Sequence, residues 1–364
     1  MNNSKCTLEI SLHAVKENYI KLREKCTNSE VGAAVKANAY GLGVRHIAPV
    51  LKNSGCRHFF VSSCDEGIEL RKILGSDVNI YVFNGIYKNE TETFMEYGLV
   101  PVLNHLIQIE IWQEYASRLN RKLPCVIHLD TGMHRLGMSE SEIGSLDLDT
   151  HTYRLNILYV MSHLASAEDI ESPSNSDQLA KFNKYISKFG GIKRSLANSS
   201  GIFLGTDYHF DLTRPGSALY GLNPTPYLKE SVIKNPVKLS CPIIQLNNLL
   251  PGHSVGYNGT HTNMHNKSCP IATIPIGYAD GFSRAFSNKG QVYINGFKAP
   301  VIGRVSMDLV TIDVSGVPDN EVFLGASVEV IGNNCTPDKI ARLCGTNGYE
   351  ILTMLGDRYE RIYN

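Results

Sequence analysis

Hydrophobic and polar positions change their rhythm twice along this chain. Residues 7–11 read as a short leading strand, and residues 12–26 set Leu12, Val15, Tyr19 and Leu22 at helical spacing. From residue 31 short apolar runs alternate with amphipathic stretches. The runs fall at 31–35, 58–62, 79–83, 99–103, 125–129, 156–161, 194–197 and 209–212, and Glu66 to Leu74 and Gln178 to Lys188 are two of the intervals. An apolar run without alternation suits a strand covered on both faces, and strands separated by helices return parallel to one another. The pattern predicts an α/β fold, an N-terminal eight-stranded parallel (β/α)8 TIM-like barrel, with a doubly wound open sheet as the less favoured arrangement.

After Pro236 the rhythm becomes strand-like with turn punctuation. Ile243 to Leu246, Ile271 to Ile274, Val292 to Ile294, Leu309 to Val314 and Val328 to Ile331 read as strands joined by Pro-Gly, Asn-Gly and Gly-Phe-Lys turns. Only Thr336 to Cys344 reads as helix, opened by a Thr-Pro-Asp cap signal. Two domains follow: a barrel over 1–235 and a mostly β C-terminal domain over 236–364.

Charge and composition then narrow the function. Thirty-five lysines and arginines balance 35 aspartates and glutamates, so the chain offers neither a nucleic-acid surface nor a polybasic membrane patch, and a small-molecule substrate is expected. No run approaches the roughly 20 apolar residues of a membrane span, and the opening residues lack a signal core, which predicts a cytoplasmic address. Nine cysteines, an odd number with no C-x-x-C pair, predict reduced and mostly buried thiols and no metal site.

A barrel keeps its chemistry where the strands end. Lys36 follows the first predicted strand, Asp130 and Arg135 the fifth, Ser162-His163 the sixth, Asn198-Ser199-Ser200 the seventh and Arg214-Pro215-Gly216 the eighth. Lys36 lies between Val35 and Ala37, and taking an ammonium out of water favours its neutral, nucleophilic form, which makes it a candidate Schiff-base lysine for pyridoxal phosphate. Taken alone, a lysine whose head snorkels into water is the commoner case. Small residues after strands seven and eight suit the close approach of a phosphate, although serines there more often cap helices or meet solvent.

Several longer motifs carry a resemblance. They are Ala34-Val35-Lys36-Ala37-Asn38-Ala39-Tyr40-Gly41, Asp130-Thr131-Gly132-Met133-His134-Arg135-Leu136-Gly137, Ser162-His163-Leu164-Ala165, Ala197-Asn198-Ser199, Arg214-Pro215-Gly216-Ser217, Val255-Gly256-Tyr257, Ile276-Gly277-Tyr278-Ala279-Asp280-Gly281 and Gly303-Arg304-Val305-Ser306-Met307-Asp308. In this order they resemble the alanine racemase family of fold-type III pyridoxal-phosphate enzymes.

The resemblance implies that Lys36 holds pyridoxal 5'-phosphate covalently and that Lys36 and Tyr257 are the two catalytic groups of alanine racemisation. Tyr40, Ser199 and the backbone N–H groups of Gly216 and Ser217 would bind the cofactor phosphate. His163 would lie against the pyridine ring and Arg214 would face its nitrogen. Arg135 and the Met307 backbone would hold the substrate carboxylate, with Tyr278 nearby. The resemblance further implies a homodimer whose sites are completed by the second domain of the other subunit, and a product, D-alanine, destined for cell-wall peptidoglycan.

An arginine at the ring nitrogen keeps its own proton, so the pyridine withdraws electrons less strongly and transamination is disfavoured. Two positions depart from the family pattern. His128 stands where many members carry a carbamylated lysine that orients the arginine matching Arg135, which leaves His128 or His134 as substitutes. The region Leu355-Gly356-Asp357-Arg358-Tyr359 does not reproduce the tyrosine some members place there. A serine racemase of the same fold, a single-barrel cofactor-binding protein and a related decarboxylase are the rival readings; the second β domain argues against the single barrel.

Overall fold

Seven parallel strands form one sheet in chain order: Ala33–Ala34, His58–Val61, Asn79–Val82, Leu99–Leu103, Leu123–His128, Leu155–Met161 and Lys193–Ser195. They belong to a computed structural model that describes residues 6–228 and 231–364. The chain divides into two compact units, Val15–Lys234 and a second in which Asn235–Asn364 is joined by the residues up to Ala14.

In the first unit His58–Val61 and Leu99–Leu103 are buried at every position, as strands covered on both faces must be. Ala34, Phe60, Tyr81, Val102, Val126, Tyr159 and Leu212 come from different strands and meet in one cluster, so the sheet curls around them. Leu212 belongs to a short strand, Leu212–Thr213, that pairs in parallel with Glu30–Val31. The Glu30, Gly32 and Ala34 N–H groups donate to the Asp211, Thr213 and Pro215 carbonyls at 2.9, 2.9 and 2.8 Å. On its other flank the Asp211 and Arg214 N–H groups donate to the Arg194 and Ala197 carbonyls at 3.0 and 2.9 Å.

Helices cover the outside of this sheet where the amphipathic intervals lie. Cys64–Leu74 is opened by Ser63, whose Oγ accepts the Glu66 N–H at 3.4 Å, and it buries Cys64, Gly67, Leu70 and Leu74 along one face. Each leucine so buried stabilises the unit by about 1.5–3 kcal/mol. Gly67 is needed because a Cβ there would stand 2.9 Å from Leu99 Cδ1.

The second unit is a nine-stranded, mostly antiparallel sheet in the order Gln245–Leu249, Cys269–Ile274, Val310–Asp313, Phe297–Ile302, Gln291–Ile294, Ser327–Ile331, Val237–Pro242, Thr7–Ile10 and Glu360–Tyr363. The leading strand Thr7–Ile10 runs antiparallel to Val237–Pro242 and parallel to Glu360–Tyr363.

Three sequence expectations need correction in this unit. Thr7 stands opposite Ser240, so the next pair outward brings Cys6 against Cys241 with Cα atoms 4.2 Å apart, and the two are joined as a disulfide. The other seven cysteines are free and, Cys344 apart, buried. Phe297 and Lys298, read as part of a turn, belong to a strand; the turn is Asn295-Gly296, both at positive φ as a two-residue hairpin requires. A second helix, Gly348–Thr353, follows Pro337–Cys344, capped by Asn347 Oδ1 accepting the Glu350 N–H at 3.1 Å. Among the described residues no helix is long and apolar enough to cross a membrane.

Candidate active site

The chain leaves its first sheet strand at Val35, whose N–H donates to the Phe60 carbonyl at 2.9 Å. It then enters a left-handed turn rather than an open loop: Ala37, Asn38, Ala39 and Tyr40 have φ between 52 and 56°, and Gly41 follows at 82°. Left-handed backbone costs an L-residue roughly 1–2 kcal/mol, so the surroundings must hold it. Glu66 does so from the neighbouring helix, its Oε1 accepting the Ala37 N–H and its Oε2 the Ser62 N–H, both at 2.7 Å. Asn38 Oδ1 accepts the Val44 N–H at 2.8 Å.

Lys36 opens this turn, half-buried, with Nζ 5.9 Å from the centre of the Phe83 ring. Burial, and then the positive charge of Arg135, hold its pKa below the ordinary lysine value against the opposing pull of Glu66. Tyr40 closes the turn and is buried, its ring stacked on Tyr220 with centroids 4.6 Å apart, and burial pushes its phenol up to about 12. Tyr220 donates to the Ala34 carbonyl at 2.8 Å, which fixes the stack to the strand.

Beside Tyr40 lies the segment after the last strand. Ser199 Oγ accepts the Gly216 N–H at 2.9 Å and the Ala218 N–H at 3.2 Å, with Ser217 buried between them. Gly216 is packed so closely that a Cβ would overlap the Tyr40 hydroxyl and stand 3.2 Å from Ala34 Cβ. Arg214, 3% exposed, donates from Nη1 to Ser195 Oγ at 2.5 Å and from Nη2 to the Ser162 and Leu196 carbonyls at 2.5 and 3.2 Å. Its Nε is buried and has no partner among the described residues. Burial pushes the guanidinium down to about 9, still protonated at neutral pH.

His163 is half-buried, and its loop is tied down by Gln178, whose Nε2 donates to the His163 carbonyl at 2.9 Å. Burial first, then the charges of Arg214, Arg135, His128 and Lys36, hold the imidazole well below its ordinary value, so it is neutral. His128 is buried and is pushed down to about 3 by burial and by Arg214, with its Nδ1 2.7 Å from Asn104 Oδ1. The Asn104 amide nitrogen donates to the Phe83 and Val102 carbonyls, so Oδ1 is the acceptor and His128 carries its proton on Nδ1.

Arg135 sits on a turn built by Asp130, whose Oδ1 accepts the N–H groups of Gly132, Met133 and His134 at 2.9, 3.0 and 3.1 Å. Its side chain is exposed and makes no hydrogen bond among the described residues. Of the two expected substitutes for a carbamate, His134 pairs with Asp130 Oδ2 at 3.2 Å and His128 Nδ1 with Asn104 Oδ1 at 2.7 Å.

The remaining predicted residues lie in the second unit. Tyr257 is 70% exposed on a short turn between Gly256 and Asn258, both at positive φ. Tyr278 and Met307 are 44% and 53% exposed on adjacent segments, and the Met307 N–H has no acceptor among the described residues.

Sequence reasoning missed Glu66, Ser195, Asn104 and Tyr220. Glu66 had a visible signal in Ser63-x-x-Glu66, but that pattern announces a helix cap. Nothing in it tells that the carboxylate reaches back 29 residues.

Comparison with known proteins matches both units. The sequence profile described as "Alanine racemase, N-terminal domain" matches residues 10–224, and "Alanine racemase, C-terminal domain" matches 236–363. A protein named alanine racemase from Rickettsia peacockii is 54% identical over 361 residues, 99% of each chain, and one from Rickettsia bellii is 48% identical over 410, covering 99% of this chain and all of that one. Among solved structures, alanine racemase from Bartonella henselae with covalently bound pyridoxal phosphate superposes with a TM-score of 0.95 at 39% identity over the whole of both chains. The biosynthetic alanine racemase from Pseudomonas aeruginosa does so at 0.90 and 30%, again over the whole of both.

Proposed function

The chain belongs to the alanine racemase family, and from that premise we infer that it interconverts L-alanine and D-alanine with pyridoxal 5'-phosphate attached at Lys36. The observation that carries the reading is Arg214 Nε, a buried donor with no acceptor among the described residues. A buried polar group left unpaired costs about 1–3 kcal/mol, and an unprotonated pyridine nitrogen is the acceptor it lacks. The cradle of Ser199, Gly216, Ser217 and Tyr40 fits a phosphate: it has converging N–H and hydroxyl groups and a glycine where any side chain would collide. His163, neutral and half-buried, fits the face of a ring.

When bound, the cofactor supplies an electron sink that acidifies the proton on the substrate's α-carbon. The protein's own groups do the rest. Lys36 Nζ, whose pKa burial and the Arg135 charge hold below the ordinary lysine value, takes or returns that proton on one side of the reacting carbon. Tyr257 Oη, from the second unit of another copy of the chain, serves the other side. The Arg135 guanidinium and the Met307 N–H hold the carboxylate, with Tyr278 beside them. Arg214 stays protonated and donates through Nε, so it holds the ring nitrogen without giving it a proton.

The same reading makes the protein a homodimer with shared sites, and the exposure of Tyr257, Tyr278 and Met307 supports it. It places the reaction in the cytoplasm, feeding D-alanine to peptidoglycan. It takes the first unit as the N-terminal domain, a closed eight-strand barrel ending near residue 235, supported by the bonds of the 212–213 strand to both flanks. Purified protein incubated with L-alanine or L-serine in deuterated water tests the function. Falling optical rotation with α-deuterium incorporation is expected for alanine; incorporation with serine alone, or with neither, overturns the assignment.

A further inference from the structure

The turn carrying Tyr278 and the loop carrying Met307 are fastened together by backbone bonds and then by one side chain that the reaction above leaves unused. The Tyr278 and Ala279 N–H groups donate to the Ser306 and Met307 carbonyls, both at 3.1 Å. A Cβ on Gly277 would overlap the Met307 carbonyl, and one on Gly281 would overlap the Met354 carbonyl, so three backbone segments touch without room to slide.

Asp280 sits in the middle, its side chain 6% exposed. Its Oδ2 accepts the Gly277 N–H at 2.9 Å, and its carbonyl accepts the Tyr359 hydroxyl at 2.5 Å and the Gly356 N–H at 3.2 Å. Arg358 bonds the same carboxylate twice, Nε to Oδ1 at 2.6 Å and Nη2 to Oδ2 at 2.8 Å. Its remaining Nη1 reaches Asp308 Oδ1 at 2.8 Å. One rigid guanidinium thus spans the residue two beyond Tyr278 and the residue next to Met307. A lysine, a single point charge, cannot hold both carboxylates in that geometry.

We propose that Arg358 is a positioning residue which, by bonding Asp280 and Asp308 at once, holds Tyr278 and Met307 at one separation and thereby sets the discrimination between alanine and larger amino acids. The proposal rests on the reading of Tyr278 and Met307 as substrate groups. The Asp308 arm is exposed on both sides, at 52% and 55%, and an exposed pair of this kind contributes little to folding, so its role lies in placement.

Asp308→Asn, which leaves the Arg358–Asp280 pair intact, and Arg358→Lys test it in the holoenzyme. Expected are a KM for alanine raised about tenfold with kcat within about twofold. The alanine-to-serine ratio of kcat/KM should fall about tenfold, and amide exchange at Tyr278 and Ala279 should quicken. Unchanged KM, ratio and exchange overturn the proposal, as does a loss of thermal stability and kcat with the ratio intact, or full rescue by lysine. A wild-type protein that racemises nothing would sink the substrate reading instead, and the exchange measurement would still decide whether the clamp exists.

Discussion

Gly216→Ala probes the phosphate cradle without touching a charged group. Gly216 lies at φ −130° and ψ −79°, and the cost worked here is the steric one. The new Cβ overlaps the Tyr40 hydroxyl and stands 3.1 Å from Tyr40 Cζ and 3.2 Å from Ala34 Cβ. Tyr40 cannot retreat easily, because its ring is stacked on Tyr220, itself bonded to the Ala34 carbonyl. Overpacking of this kind costs about 1–3 kcal/mol. For a unit of this size that lowers Tm by about 2–12 °C.

Displacing the Tyr40 hydroxyl should also weaken cofactor binding about 5–30-fold, the equivalent of about 1–2 kcal/mol. Thermal unfolding without cofactor and cofactor titration followed by absorbance measure the two effects separately. Tyr40→Phe removes the overlapping oxygen but leaves Cζ in place. The double variant should therefore recover about 0.5–1.5 kcal/mol relative to the sum of the single ones. A neutral Gly216→Ala, or effects that add to within about 0.3–0.5 kcal/mol, would refute the packing argument.

Other consequences are open to the same kind of check. Lys36→Ala should leave no cofactor covalently attached after borohydride reduction, read by mass spectrometry. Tyr257→Phe should keep the cofactor yet lose about 100-fold or more of proton exchange in one direction, and retention of full two-way exchange would remove Tyr257 from the mechanism. Arg214→Glu should raise transamination relative to racemisation, since an acid can share its proton with the ring nitrogen; an unchanged product ratio counts against this.

Asp130 carries a pH prediction as well. Burial raises its pKa, but the N–H groups of Gly132 and His134, the His134 charge and the Met133 N–H outweigh that and hold it below the ordinary carboxylate range. The stabilisation is then complete above the unfolded value, near about 4, and is lost as pH falls through the lower folded value. The Tm advantage over Asp130→Asn should shrink as pH drops through that window, and a constant difference down to about pH 2 would contradict the sign.

Much of the site was legible because its groups lie within short motifs that end strands, and an apolar run of four or five residues reveals a buried strand wherever it occurs. Lys36, Ser199, Arg214 and Gly216 come together because parallel strands all present their C-terminal ends on one side. The left-handed turn after Lys36 was not legible, since three of its four residues, Ala37, Ala39 and Tyr40, carry no local preference for positive φ. It exists because Glu66 and Asn38 bond its amides.

The sequence by itself determined which segments alternate as strand and helix, where the pattern turns to β after Pro236, and which residue types stand ready at the strand ends. Only the tertiary structure decided their partners. Thr7–Ile10 pairs with strands more than 200 residues away, which sets Cys6 on Cys241. Arg358 joins Asp280 and Asp308 across 78 and 50 residues. The physical reason is that periodicity is set by neighbours along the chain, whereas strand order and side-chain bonds are set by which surfaces are left to bury once those neighbours have folded.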